Sequence, residues 1–283
     1  MFSNKLGLGT AQFGLDYGIS NNQGQTKEAE VSTILKQALL LGITILDTAH
    51  QYGQSENVLG KNDLSNFLVV SKFASIPEET NLDDLLHSAL IRLGVERLYG
   101  YMAHSSDYLL DNPDIWDSLV KLKSEGKVRK IGYSLYSPTQ LEELLSCGMV
   151  PDLVQVPYNV FDRRFEPWLK ILKDRNVEIH SRSAFLQGLF FMNPDELPEH
   201  FNSIKTTLKD VKNQFSSDNE LSGALLYFCV SNPFIDKVII GINNVDQLTS
   251  NITELNSVRQ STWKDYGIND NSILLPYKWP AKN

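Results

Sequence analysis

Short contiguous apolar runs alternate along this chain with longer segments whose apolar residues recur every three or four positions. The short runs lie at 5–11, 43–46, 67–70, 98–103, 130–134, 153–158, 177–184 and 237–242. Several lack clean alternation, as expected of strands covered on both faces. The longer segments carry helical spacing. In 28–41, Val31, Ile34, Leu35, Ala38 and Leu39 share a face. In 82–93, Leu82, Leu85, Leu86, Ala89, Leu90 and Leu93 form a stripe ended by Gly94, a natural C-cap. Further helices are predicted over 55–60, 114–124, 137–145 (opened by Ser137-Pro138), 166–174, 221–230 and 245–255.

Each of the eight strands is followed by a helix. Parallel neighbours need crossovers of this kind. Eight such units predict an α/β fold, a closed (β/α)8 TIM barrel, with a doubly wound open sheet as the alternative. No low-complexity linker divides the chain, so 1–283 reads as a single barrel domain. Its last part, from about 257 to 283, is polar and irregular and reads as a short surface tail.

Composition narrows the class of partner. The 283 residues are 42% hydrophobic and carry 26 Lys+Arg against 34 Asp+Glu, a net charge of −8. That excludes a disordered or collagen-like chain, and the acidic balance argues against nucleic acid. No apolar stretch reaches the ~20 residues that span a bilayer, and the opening Met1-Phe2-Ser3-Asn4-Lys5 leads into no secretory apolar region. Cys147 and Cys229 cannot form a disulfide framework for a chain this long and read as buried thiols. The expectation is a cytoplasmic protein with no membrane partner and no nucleic acid.

In such a barrel chemistry sits at the C-terminal strand ends. The second strand ends at Asp47, the third at Lys72 and the fourth at His104, while Tyr52 follows Asp47 by five residues. Singly, each has an ordinary reading: a loop cap, a surface charge, a core histidine, a packed aromatic. At consecutive strand ends they make a proton-donating site. A phenol is a weak acid, with a free pKa of ~10. A nearby ammonium is expected to lower that value, a carboxylate to hold the ammonium, and an imidazole to bind a carbonyl oxygen.

No Gly-x-Gly-x-x-Gly follows a strand and no Walker loop occurs, so Gly7 and Gly9 read as close-packing positions. The turn Gly241-Ile242-Asn243-Asn244 before the last helix suits either a phosphate or a plain capped loop. The five histidines show no metal-ligand spacing, and no Gly-x-Ser-x-Gly elbow occurs.

The chain resembles the aldo-keto reductases from Leu6 to about Leu255. The resemblance is carried by Gly7-Leu8-Gly9-Thr10, Phe13-Gly14, Asp47-Thr48-Ala49, Tyr52-Gly53, Ser55-Glu56, Leu59-Gly60, Lys72, His104, Gly132-Tyr133-Ser134, 154–159, 186–189 and 239–241. It implies catalysis by Tyr52, Asp47, Lys72 and His104, with Tyr52 as general acid, and reduction of an aldehyde or ketone, sugar-related in some relatives of this compact style. It implies a nicotinamide cofactor, NADP(H) first with NAD(H) open, with Ser134 and Gln155 on the carboxamide and Gly241, Asn243, Asn244, Gln247 and Asn251 along the adenosine.

Departures from the family pattern are Leu135 after Ser134, Arg182 where a tyrosine stacks on the ring, and Asn243-Asn244 where a cation is usual. Arg182 suits either the cofactor ring or an acidic substrate group. Phe13, Tyr17, Tyr158 and Phe161 are expected as pocket walls, and Arg163 and Arg164 as further anion binders. Two other readings of the fold are a cofactor-sensing regulatory subunit with slow turnover and a Schiff-base aldolase using Lys72.

Overall fold

The computed structural model describes residues 2–258 and 263–280. Eight parallel strands close into a barrel in chain order. They are β1 (Leu6–Gly9), β2 (Ile45–Asp47), β3 (Leu68–Phe73), β4 (Leu98–Ala103), β5 (Val128–Ser134), β6 (Leu153–Pro157), β7 (Glu178–Arg182) and β8 (Lys237–Gly241). The ring closes where Leu6–Gly9 pairs with β8, Gly9 opposite Gly241. The (β/α)8 TIM-barrel expectation holds.

The crossovers are the helices Glu28–Leu40, Ser55–Gly60, Leu82–Leu93, Asp114–Ser124, Pro138–Ser146, Glu166–Asp174, Asp218–Ser231 and Val245–Ser257. Their starts follow local chemistry. Asn81 accepts from Asp84 N, Ser137 and Gln140 form a capping box with Pro138 at the first turn, and Asn244 accepts from Gln247 N. Gly94 ends Leu82–Leu93 in the left-handed region at φ 64°.

A narrow barrel interior needs close approach somewhere, and Gly7 supplies it. A Cβ there would lie 2.6 Å from Ile239 Cδ1 and 3.0 Å from Ile45 Cγ2, so the glycine lets both isoleucines fill the centre. A second apolar cluster, including Phe161, Leu189, Phe190, Phe201 and Leu208, also takes in Ile273 and Leu274. The reading of the end of the chain as a surface tail is therefore corrected for these residues. Ile273 and Leu274 are buried, since the tail folds back onto the cluster. Positions 259–262 and 281–283 of that tail lie outside the described residues. Cys229 is buried as expected, but Cys147, at the C-terminal cap of Pro138–Ser146, is exposed, and both thiols are free. Among the described residues no helix is long and apolar enough to cross a membrane.

Candidate active site

Asp47 is the last residue of β2, Lys72 the penultimate residue of β3, and His104 directly follows β4. Lys72 Nζ donates to Asp47 Oδ1 at 2.6 Å and to Thr48 O at 3.0 Å, and both side chains are buried. Gln155 Nε2 donates to the other Asp47 oxygen at 2.8 Å. Lys72 Nζ lies 5.3 Å from the centroid of the Tyr52 ring. His104 meets the same ring edge-on, with centroids 5.6 Å apart at 83°. The four residues named from the sequence thus share one mouth.

Backbone packing places Tyr52. A Cβ on Gly14 would lie 1.8 Å from Tyr52 O and 2.4 Å from Ser55 N. Gly53 has φ +56°, and a Cβ there would lie 2.5 Å from Gly14 O. Only glycines let these two turns touch backbone to backbone. Beneath them Ser55 Oγ lies 2.9 Å from Thr10 O, 2.8 Å from Thr10 Oγ1 and 3.2 Å from Thr48 Oγ1. Glu56, also buried, accepts from Ser71 Oγ at 2.6 Å and Arg92 Nε at 2.8 Å. The string from Tyr52 to Glu56 is one anchoring device.

Burial and then the Asp47 charge push the Tyr52 phenol up, against a smaller opposing pull from Arg182. This corrects the expectation that Lys72 lowers it, because the Lys72 charge is taken up by Asp47 at hydrogen-bond distance. Burial lowers the Lys72 ammonium while Asp47 raises it. His104 is pushed down to about 3 by burial, then by Lys72 and Arg182, so its imidazole is neutral near pH 7. Its Nδ1 is buried without a hydrogen-bond partner among the described residues.

A cavity of about 770 Å³ runs from Asp47, Tyr52 and His104 past Gln155 and Arg182 to Gly241, Asn243, Asn244 and Gln247. Ser134 stops just short of it, paired in register with Gln155. Asn251 does not border it either. It is buried two turns into Val245–Ser257, roughly 10 Å along the axis from Asn244. Lys72 lies under Asp47 rather than on the cavity wall, and its Nζ holds two bonds, an arrangement unsuited to a Schiff-base nucleophile.

Of the expected walls only Tyr17 borders the cavity, while Phe13, Tyr158 and Phe161 turn into the packed interior. Arg163 is held by Glu166 and Asp265, and Arg164 by Asp162. Sequence reasoning missed Gln12, Tyr136, Tyr277 and the strap at 20–23, all on the cavity. The strap bonds across to the last turn. Asn243 Nδ2 donates to Asn21 Oδ1 at 2.9 Å and Asn244 Nδ2 to Gln23 Oε1 at 3.2 Å. The available signal was length, since a connection from 15 to 27 rich in Asn, Gln and Gly exceeds what a βα loop needs.

Fold and site together define a barrel oxidoreductase. The sequence profile of the Aldo/keto reductase family matches residues 5–264, and the chain belongs to that family as an NAD(P)H-dependent oxidoreductase. It is 23% identical to the oxidoreductase YqkF of Bacillus subtilis (strain 168), over 90% of this chain and 92% of the relative. It is 27% identical to L-galactose dehydrogenase of Arabidopsis thaliana, over 91% and 89%. The holo form of an aldo-keto reductase from Bacillus halodurans has the same fold, with a TM-score of 0.71, 23% identity and coverage of 91% and 88%.

Proposed function

We propose that this protein reduces an aldehyde or ketone to the alcohol, with Tyr52 as general acid. The observation that carries this reading is the convergence of Tyr52, Lys72, Asp47 and His104 on one end of a cavity whose other end offers amides. The residues present fit a nicotinamide dinucleotide. Ser134 Oγ and Gln155 Oε1 have no partner among the described residues and suit a carboxamide, while Gly241, Asn243, Asn244 and Gln247 suit the adenosine end.

A bound reduced cofactor supplies a hydride, with both electrons, to the carbonyl carbon. Tyr52 gives its hydroxyl proton to the carbonyl oxygen. Its raised pKa keeps that proton in place until the oxygen becomes basic. Neutral His104 orients the oxygen by hydrogen bonding. The phenolate that remains regains a proton from solvent through the cavity that Tyr52 borders, while the Lys72–Asp47 pair, with Nζ 5.3 Å from the ring centroid, fixes the geometry beside it. The substrate class is sugar-related, in keeping with the Arabidopsis relative that is by name a sugar dehydrogenase.

Discrimination between NADP(H) and NAD(H) is small. Lys27 and Glu30 both border a hollow beside Asn243 and Asn244, so a 2′-phosphate meets one charge of each sign. The deciding experiment is Tyr52→Phe. Cofactor-oxidation rates with a carbonyl panel should fall by about 10²–10⁴-fold, while reduced-nicotinamide affinity by fluorescence titration stays within a few-fold. Retained turnover in Tyr52→Phe overturns the assignment. Tight cofactor binding with negligible wild-type turnover favours the sensing role.

A further inference from the structure

We propose that Arg182 is a substrate-anchoring residue and that the carbonyl compound taken by this site carries an anionic group, a carboxylate or a phosphate. The inference rests on the reductase reading and names its substrate class.

The argument is a charge balance. Asp47 and Lys72 cancel each other at 2.6 Å, and His104 and Tyr52 are neutral. Asp107, another acid on the cavity wall, accepts from Gln140 Nε2 at 2.7 Å. Arg182 also borders the cavity, yet no carboxylate among the described residues lies within 4.0 Å of it. An always-charged guanidinium drawn partly out of water without a counter-ion is costly, and an anionic ligand offsets that cost.

The side chain is also held in place. Its Cζ lies 4.3 Å from the centroid of Tyr136, which meets Tyr277 edge-on at 5.1 Å. Nη2 donates to Leu135 O at 3.0 Å and Nη1 to Ser183 Oγ at 3.1 Å. Ser183, the next residue, has φ 66°, a left-handed conformation that a non-glycine residue adopts at some cost. Remaining N–H groups of a pre-positioned planar fork are suited to two oxygens of one anion. Arg182 borders the same cavity as Tyr52 and His104, so an anion held by it belongs to the molecule whose carbonyl those two residues face. Asn243 and Asn244 are engaged by Asn21 and Gln23, and Arg182 is the one Lys or Arg among the described residues that border the cavity.

The test compares kcat/KM in matched pairs, succinic semialdehyde against butanal and glyceraldehyde 3-phosphate against glyceraldehyde, for wild type, Arg182→Gln and Arg182→Lys. Wild type should prefer the charged member of one pair by about tenfold or more. Arg182→Gln should lower that charged-to-neutral ratio about 30-fold, through KM, and Arg182→Lys should restore part of it. The pair that responds distinguishes carboxylate from phosphate. Equal use of both members by wild type overturns the proposal, as does an Arg182→Gln variant that lowers both members together and leaves the ratio standing, which would assign the residue to the cofactor. Calorimetry on the wild-type protein gives a readout independent of turnover and of any variant's folding. Butanoate should bind where butanamide does not, or glycerol 3-phosphate where glycerol does not. Equal binding within both comparisons overturns the proposal. If no carbonyl oxidises reduced nicotinamide, the reductase reading fails while this comparison still decides for or against an anion site.

Discussion

A methyl group at Gly14 has nowhere to go, because its position is occupied by the backbone of Tyr52 and Ser55. Overpacking of this kind costs about 1–3 kcal/mol, and here relief must come from moving the turn that carries Tyr52, the proposed general acid. Gly14→Ala should therefore lower kcat about 100-fold, since a misplacement of ~1 Å is worth that much, while the melting temperature drops only a few degrees. Kinetics and thermal unfolding of the same sample check both. Asp47, Lys72 and His104 were legible because each stands at or just beyond an apolar run, where a strand end is set by its own sequence, and Tyr52 because of the string that follows Asp47. The direction of the Tyr52 shift was not legible, because it depends on burial and on Lys72 being committed to Asp47. The same limit hid the fates of Arg163 and Arg164, whose acidic partners at Asp162, Glu166 and Asp265 are defined by folding.

At the scale of elements, repeated βα units announce themselves because a strand covered on both faces and a one-faced helix have different periods. The helices Ser55–Gly60, Leu82–Leu93, Asp114–Ser124 and Glu166–Asp174 have the bounds predicted from the sequence, and Leu82–Leu93 is also fixed by the Asn81 cap and by Gly94. The region after β7 resisted reading. Leu186–Phe191 is a 3-10 segment with positive φ at Leu186 and Gln187, and Lys205–Lys212 is a largely polar helix of eight residues. The first has no helical period, and the second buries only Leu208 and Val211. The strap at 20–23 and the start of Val245–Ser257 form one unit, in which Glu30 Oε1 accepts from Val245 N at 2.7 Å and the Asn244 side chain caps the turn. This already satisfies part of a helix N-terminus that would otherwise favour a phosphate. Wild-type affinities for NADPH and NADH should consequently differ by less than about tenfold, and Asn243→Arg should tilt the ratio toward NADPH by about tenfold, the worth of one charge-assisted contact. Fluorescence titration of both dinucleotides measures it, and an unchanged ratio would place the 2′ position elsewhere.

The molecule as a whole keeps its chemistry at one end of the barrel and a charged cluster at the other. Glu178 opens β7, Tyr99 and Lys130 lie near the starts of β4 and β5, and His180 follows on β7. The Glu178 carboxylate accepts from Lys130 Nζ and from Tyr99 OH at 2.6 Å, while His180 Nε2 lies 2.6 Å from its other oxygen. Burial alone would raise this carboxyl, but the hydrogen bonds from His180, Lys130 and Tyr99 hold it down to about 2. A carboxyl that is more acidic folded than unfolded binds fewer protons in the native state between these two values. Its stabilisation is complete above its unfolded value of 4.5 and disappears as pH falls toward 2. The shift corresponds to roughly 3 kcal/mol at neutral pH. Glu178→Gln should therefore unfold at lower denaturant than wild type at pH 7, and the gap should shrink steadily below pH 4.5 and close near pH 2. Because the cluster sits at the N-terminal strand ends, turnover of the folded variant at pH 7 should stay within about twofold of wild type, as expected when stability and activity occupy opposite faces of a barrel. A denaturant gap independent of pH would mean that packing, rather than the carboxylate charge, holds the base of the barrel together.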